Sequence, residues 1–250
     1  MFEHFFIVGA QRSGTTYLYQ LLAEHPEIEM ARPISPEPKF FIADALFEQG
    51  LEYYENHFFV GKANAWLRGE KSTSYMESEK AAKRIARYFP KAKILFILRD
   101  PLERAISNYW FSVNNGLETM PMSDAFIHEE ERRLDYDQQR TSVSPYAYLK
   151  RGRYIDYISM YERYFPTEHI KIILYEQFVG SRDLVRDLHV FLGVAPDFTP
   201  STLYRVFNKG DKPNSALPPA LERYLLDYFA ESNARLAERF GLDLTEWRRL

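Results

Sequence analysis

The stretch FFIVGAQRSGTTYLYQLL, residues 5–22, decides the fold. Phe5 to Val8 form an unbroken apolar run of the kind that fills a strand buried on both faces. Gly9 and Gly14 bound a short polar loop, and from Thr15 to Glu24 the residues Leu18, Leu21 and Leu22 recur at helical spacing. Strand, loop and helix together make a cradle in which the backbone N–H groups of Gln11, Arg12, Ser13, Gly14, Thr15 and Thr16 can converge on an anion at a helix N-terminus. The two glycines have Walker A spacing, yet Thr15 stands where that motif has its lysine, and Arg12 is the cation of the loop. From these residues alone, a strand-to-helix turn without a ligand is the favoured reading.

The pattern recurs along the chain. KILFILRDP carries a second buried strand, Ile94 to Leu98, and Arg99-Asp100-Pro101 ends it with a proline suited to the first turn of the helix that runs on to about Asn115. IKIILYE reads as a third strand and GEKSTSY as the end of a fourth. Helices are predicted over GLEYYENHFF, Glu79 to Phe89, Gly152 to Phe165, Ser181 to Leu192 and Pro218 to Phe240. In ARPISPEPKFF, Pro33, Pro36 and Pro38 hold the backbone extended, giving a stiff loop. Residues Glu118 to Lys150 are charge-rich, with a helix expected over Asp124 to Leu134, and read as an insertion over a site. Strands alternating with helices predict an α/β fold, a P-loop-like parallel sheet flanked by helices. Its ligands should bind where the loops after Val8, Leu98 and Tyr175 leave the carboxyl ends of the strands.

Composition bounds the function. The 250 residues, 46% hydrophobic, suffice for a single domain over 1–250. A net charge of -3 gives no global field for nucleic acid or an anionic membrane. With no cysteine there is neither a disulfide framework nor a thiolate metal site, and no metal is expected. MFEHFFIVGA carries Glu3 rather than a basic leader and reads as the first core strand, and no window has the roughly 20 apolar residues of a membrane-spanning helix. A soluble, cytoplasmic protein is expected.

Arg99 and Ser107 form a second candidate anion site, although an arginine paired with Asp100 or Glu103 on a helix surface fits the same residues. Two anion-binding places in one chain suggest a nucleotide with phosphates at two positions. A P-loop kinase or other phosphotransferase is the enzyme rival, disfavoured by the missing lysine and by a strand ending in Arg99 where a metal-holding Asp would be needed. A non-catalytic nucleotide-binding module is the other.

GAQRSGTT, followed by EPKFF and then by ILRDPLERAISNY, resembles the sulfotransferases that use 3′-phosphoadenosine 5′-phosphosulfate (PAPS), most closely the heparan sulfate and carbohydrate branch, and the resemblance extends through HPEI after the first helix, GLEYY, GEKSTSY, RGRY and FNKG. The resemblance covers most of the chain. It implies that Gln11 to Thr16 bind the 5′-phosphosulfate, that Arg99 and Ser107 bind the 3′-phosphate, that Tyr154 lies near the nucleotide, and that Asn208, Lys209 and Gly210 close over it. Glu37 matches the family's general base. Lys71 matches a lysine near the transferring group, and Lys39 stands where relatives often have His; both would neutralise developing charge. Arg12 replaces the heparan-type lysine and would steady the leaving phosphate. The implied acceptor is a hydroxyl on a carbohydrate, a glycolipid or a small natural product, and the implied product is 3′-phosphoadenosine 5′-phosphate (PAP).

The six histidines show no ligand spacing. His25 reads as a helix-end or core residue, and His57 as the reserve base should Glu37 not serve. Tyr109, Trp110 and Phe111 are candidates for an acceptor cleft, although three consecutive residues cannot share one helix face. The run EEERR reads as a solvated helix face.

Overall fold

The computed structural model describes residues 2–132, 134–137, 141–205 and 217–248. In chain order the elements begin with β1 (Glu3–Gly9), α1 (Thr15–Glu24), β2 (Ile28–Met30), α2 (Asp44–Phe47), α3 (Gly50–Phe58) and β3 (Leu67–Lys71). They continue with α4 (Glu79–Tyr88), β4 (Lys93–Leu98), α5 (Pro101–Asn114), α6 (Met122–Ile127) and α7 (Glu129–Arg132). The last are α8 (Tyr154–Glu162), β5 (Ile170–Leu174), α9 (Tyr175–Phe178), α10 (Arg182–Leu192) and α11 (Pro219–Phe240). The chain gathers into two compact units, one of Met1–Leu98 with Met160–Phe207, the other of Arg99–Ser159 with Asn208–Leu250.

The first unit holds a five-stranded sheet in the order β2-β3-β1-β4-β5, with every neighbouring pair parallel. The chain leaves β1 toward one edge and, after β3, crosses to β4 on the other side. The crevice beyond the carboxyl ends of β1 and β4 is therefore the topological switch point, where open α/β sheets bind ligands. Residues alternate across β1. Phe5 and Ile7 pack with Leu18, Leu21 and Leu22 of α1 and with Val185 and Leu188 of α10. On the other face Phe6 meets Phe41 at 5.5 Å in an aromatic layer that includes Tyr54 and Phe89. Burial on both faces explains the unbroken apolar run.

The second unit packs Leu102, Ala105 and Tyr109 of α5 with Phe126 of α6, Tyr148, and Leu221, Leu225 and Phe229 of α11. Pro101 is the first residue of α5, and the Asp100 carboxylate caps it by accepting from Leu102 N–H at 2.8 Å and Glu103 N–H at 3.2 Å. The RDP punctuation is thus a proline start with an N-cap.

Four expectations need correction. β2 was not foreseen: it has only three residues, and its buried Glu29, satisfied by Arg68 at 3.2 Å and by Gly61 N–H at 2.6 Å, hides the strand signal. The helix expected over Asp124 to Leu134 is split into α6 and α7 at His128 (φ -97°, ψ 16°). The EEERR run is not wholly solvated: Glu129 is buried, its carboxylate accepting from the N–H groups of Leu149 and Lys150, and Arg132 pairs with buried Glu118 at 2.9 Å. Finally, β5 stops at Leu174, and Tyr175 and Glu176 already belong to α9.

Candidate functional site

In the first unit, the loop after β1 turns sharply. Arg12 (φ 68°) and Gly14 (φ 89°) both adopt left-handed backbone. Gly14 is needed at its position: a Cβ there would run into the ring of Tyr175, so the loop after β1 lies hard against the residue that follows β5. The first α-helical bond of α1 runs from Leu18 N–H to the Gly14 carbonyl at 3.1 Å. The N–H groups of Thr15 and Thr16 therefore have no intrahelical acceptor, and α1 carries no acidic residue in its first turn to compete for an anion. Ser13 is fully buried, and Gln11, Arg12 and Thr16 are partly accessible.

Glu37, from the proline-rich loop, meets the carboxyl end of β3. One carboxylate oxygen accepts from Lys71 Nζ at 2.7 Å and the other from Thr73 N–H at 2.9 Å, while the Thr73 hydroxyl lies 3.0 and 3.1 Å from the two oxygens. The Lys71 side chain is 7% exposed and that of Glu37 15%, so this ion pair is largely withdrawn from water without being sealed off. Two residues on, Lys39 has left-handed backbone (φ 54°), and its N–H donates to Ser72 Oγ at 2.9 Å. The structure therefore brings Glu37, Lys71 and the Lys39 backbone to one place.

Behind Glu37 lies a carboxylate that the motif reading passed over. Glu70, on β3, is 1% exposed and accepts from Ser72 Oγ at 2.6 Å and Tyr54 Oη at 2.9 Å. Burial pushes its carboxyl up to about 7, opposed by the hydroxyls of Ser72, Tyr75 and Tyr54. Burial, and then the nearness of Glu70, raises Tyr75 and Tyr54 above the ordinary phenol value. The available signal was strand alternation in GEKSTSY, which sends Glu70 and Lys71 to opposite faces of the sheet.

Arg99, Ser107 and Tyr154 belong to the second unit. Arg99 follows β4 directly and its guanidinium contacts Glu103 at 2.9 Å, the pairing left open from sequence. Ser107 is buried on α5, about 9 Å along the axis from its start by helical rise. Tyr154 is fully buried and donates its hydroxyl to the Arg99 carbonyl at 2.7 Å, so it holds the backbone at Arg99. Tyr109 is a core residue donating to the Met120 carbonyl at 2.9 Å, whereas Phe111 is exposed. Missed from sequence were Arg104 and Arg151, both fully buried.

His57 sits exposed in the last turn of α3, stacked on Tyr53 at 4.7 Å. His25 caps the end of α1 and is buried, accepting from Glu27 N–H at 3.2 Å, as a core or capping histidine should. Asn208, Lys209 and Gly210 lie outside the described residues. Among the described residues, no helix is long and apolar enough to cross a membrane.

A family model described as "Sulfotransferase domain" matches residues 2–207. The chain is 26% identical over 267 residues to human heparan sulfate glucosamine 3-O-sulfotransferase 6, covering 97% of this chain and 73% of that protein. It is 32% identical over 199 residues to mouse bifunctional heparan sulfate N-deacetylase/N-sulfotransferase 4, covering 78% of this chain but only 22% of that longer protein. In structure it resembles a sulfotransferase from Alicyclobacillus acidocaldarius, with a TM-score of 0.81, 30% identity and 100% of both chains covered.

Proposed function

This chain belongs to the sulfotransferase domain family, and from that membership we propose that it transfers a sulfuryl group from PAPS to an acceptor hydroxyl with Glu37 as general base. The family's general reaction is PAPS-dependent sulfuryl transfer. The observation that carries the assignment to Glu37 is its geometry: a carboxylate fixed by Lys71 Nζ at 2.7 Å and Thr73 N–H at 2.9 Å beside the carboxyl end of β3. Those bonds fix the carboxylate in orientation. A carboxylate oxygen offers more than one lone-pair site, so an acceptor O–H can still be received.

In the proposed step the acceptor oxygen attacks sulfur in line, its proton passes to Glu37, and the bond from sulfur to the bridging oxygen of the 5′-phosphate breaks. PAP leaves with that electron pair. Backbone N–H groups of Gln11 to Thr16, together with Arg12, receive the charge gathering on the 5′-phosphate. Lys71 and Lys39 neutralise charge near the transferring group. Arg99 and Ser107 are assigned the 3′-phosphate, with Tyr154 steadying the backbone of Arg99 and Asn208 to Gly210 closing over the nucleotide. The acceptor is a hydroxyl of a carbohydrate, glycolipid or small natural product. A sugar is favoured because the 3-O-sulfotransferase relative, matched over 97% of this chain, is named for glucosamine.

Thermal unfolding with PAP, against ATP plus magnesium, tests the nucleotide assignment. PAP at about 100 times its Kd adds roughly 2.7 kcal/mol to wild type, and Arg99→Ala abolishes the shift. Stabilisation by ATP plus magnesium alone would overturn the reading. Transfer of radiolabelled sulfate from PAPS to partly desulfated heparan oligosaccharides then separates an enzyme from a binding module. Glu37→Gln should lower that transfer by about 10²- to 10⁴-fold while PAP still binds. Label found on a free amine rather than a hydroxyl would transfer the assignment to N-sulfation.

A further inference from the structure

The Glu37 loop is tied down at two more points, and both lead to one buried acid. Lys39 N–H donates to Ser72 Oγ at 2.9 Å, and Phe41 N–H donates to Tyr75 Oη at 2.9 Å. Each hydroxyl needs somewhere to place its own proton. Ser72 gives its proton to Glu70 at 2.6 Å, and Tyr75 also hydrogen-bonds to Glu70. A third hydroxyl, Tyr54 Oη, donates to the second Glu70 oxygen at 2.9 Å.

An ionised carboxylate only accepts. With Glu70 as the common acceptor, the protons of Ser72 and Tyr75 point inward and their lone pairs point outward at the amides of Lys39 and Phe41. The left-handed backbone at Lys39, costly for a residue with a side chain, is held by that contact. Tyr75 is fixed from behind as well, its carbonyl accepting from Tyr161 Oη at 2.8 Å. The cost of burying the acid shows in its raised pKa, and the three hydroxyls supply the bonds that a buried carboxylate requires.

We propose that Glu70 is a positioning residue: by orienting the hydroxyls of Ser72 and Tyr75 it locks the 37–41 backbone and so holds the Glu37 carboxylate in its reactive orientation. The positional part stands on the hydrogen bonds alone, and the effect on turnover rests on the reading of Glu37 as base.

The test combines amide exchange at Lys39 and Phe41, read by NMR, with transfer kinetics from PAPS to the desulfated heparan oligosaccharides. In Glu70→Gln one side of the group becomes a donor, so the hydroxyl facing it loses the acceptor for its own proton. Whichever of the Lys39 and Phe41 amides lies in front of that hydroxyl should exchange about tenfold faster, the loss of roughly one hydrogen bond. Turnover falls by a similar factor, with KM for PAPS within about twofold because the Gln11 to Thr16 loop is untouched. Ser72→Ala should reproduce the effect at Lys39 only, Tyr75→Phe at Phe41 only, and Ser72→Thr, which keeps the hydroxyl, should restore the Lys39 amide. If Glu70→Gln fails to fold, the Ser72 and Tyr75 variants carry the test.

Unchanged exchange at both amides in Glu70→Gln, or in the Ser72→Ala and Tyr75→Phe pair, overturns the proposal, and this readout needs no acceptor. Glu37→Gln, run alongside, separates the two readings. Full activity in Glu37→Gln with a loosened loop in Glu70→Gln removes the base but keeps the lock. An inactive Glu37→Gln with an unaltered loop in Glu70→Gln removes the lock but keeps the base.

Discussion

The two units bury charge with different partners. In the first unit, Glu29 and Glu37 are paired with the buried cations Arg68 and Lys71, while Glu70 accepts hydrogen bonds from the hydroxyls of Ser72, Tyr54 and Tyr75. In the second, Arg104 and Arg151 are fully buried and donate. Arg104 reaches the Tyr148 carbonyl and Asn108 Oδ1 at 3.2 Å; Arg151 reaches the Ser144 carbonyl and the same Asn108 oxygen at 2.7 Å. A guanidinium keeps its charge at any working pH, whereas a buried carboxyl can take a proton. The buried Glu70 of the first unit can thus exchange a proton near neutral pH, whereas the buried arginines of the second, which also holds buried Glu118 and Glu129, keep their charge.

The largest test of that contrast is Arg104→Met. It removes two charge-assisted bonds and leaves the Tyr148 carbonyl and one lone pair of Asn108 without their donor. A loss of about 4 kcal/mol is expected, about 2 for each bond, measured by urea unfolding and growing somewhat as pH rises, because Arg104 helps to keep buried Glu129 ionised. Arg104→Lys should recover little, because a point ammonium cannot bridge two acceptors as the planar fork does. A cost below about 1 kcal/mol would break the contrast.

These two kinds of charge were not equally legible in the sequence. β1, β4 and β5 were read from unbroken apolar runs and the turn after β1 from its two glycines, because local pattern determines both, whereas β3, LRGEK, has no such run. Glu37 and Lys71 were named through family likeness, but their mutual 2.7 Å contact joins a proline-rich loop to a strand end 34 residues on, and no local rule fixes that. Arg104 and Arg151 went unnoticed since an arginine among polar neighbours reads as surface, and the Tyr148 and Ser144 carbonyls and the Asn108 oxygen that receive them are not marked by any local pattern. Glu129 was misread for the same reason: its partners, the amides of Leu149 and Lys150, are distant in sequence.

A smaller effect comes from Glu70. Its folded pKa, about 7, lies above the ordinary glutamate value of 4.5, with Glu37 adding to the rise caused by burial. The native state therefore holds the proton more tightly than the unfolded chain does. The stability contributed by this group is complete below 4.5 and drains away as pH rises through about 7, by roughly 3 kcal/mol in full, of which about 2 fall between pH 5 and 7. Glu70→Gln should remove that slope, while variants of Arg104 leave it in place.

The smallest effect has the reverse sign and comes from the same unit. His189 on α10 is fully buried, its ring 4.7 Å from that of His25. Burial, and then His25, lower it from 6.5 to about 4. Here the unfolded chain binds the proton more tightly, so stability is complete above 6.5 and is lost as pH falls toward 4, by roughly 2 kcal/mol between 6.5 and 5. Between pH 5 and 6.5 the two slopes oppose each other, and wild-type stability should look nearly flat. His189→Leu exposes the falling slope of Glu70, and Glu70→Gln exposes the rising slope of His189. Denaturation midpoints of wild type, the two single variants and the double variant at half-unit pH steps decide it. If the double variant is no flatter than either single one, the pH response of the first unit lies in other groups, and its contrast with the second must be redrawn around them.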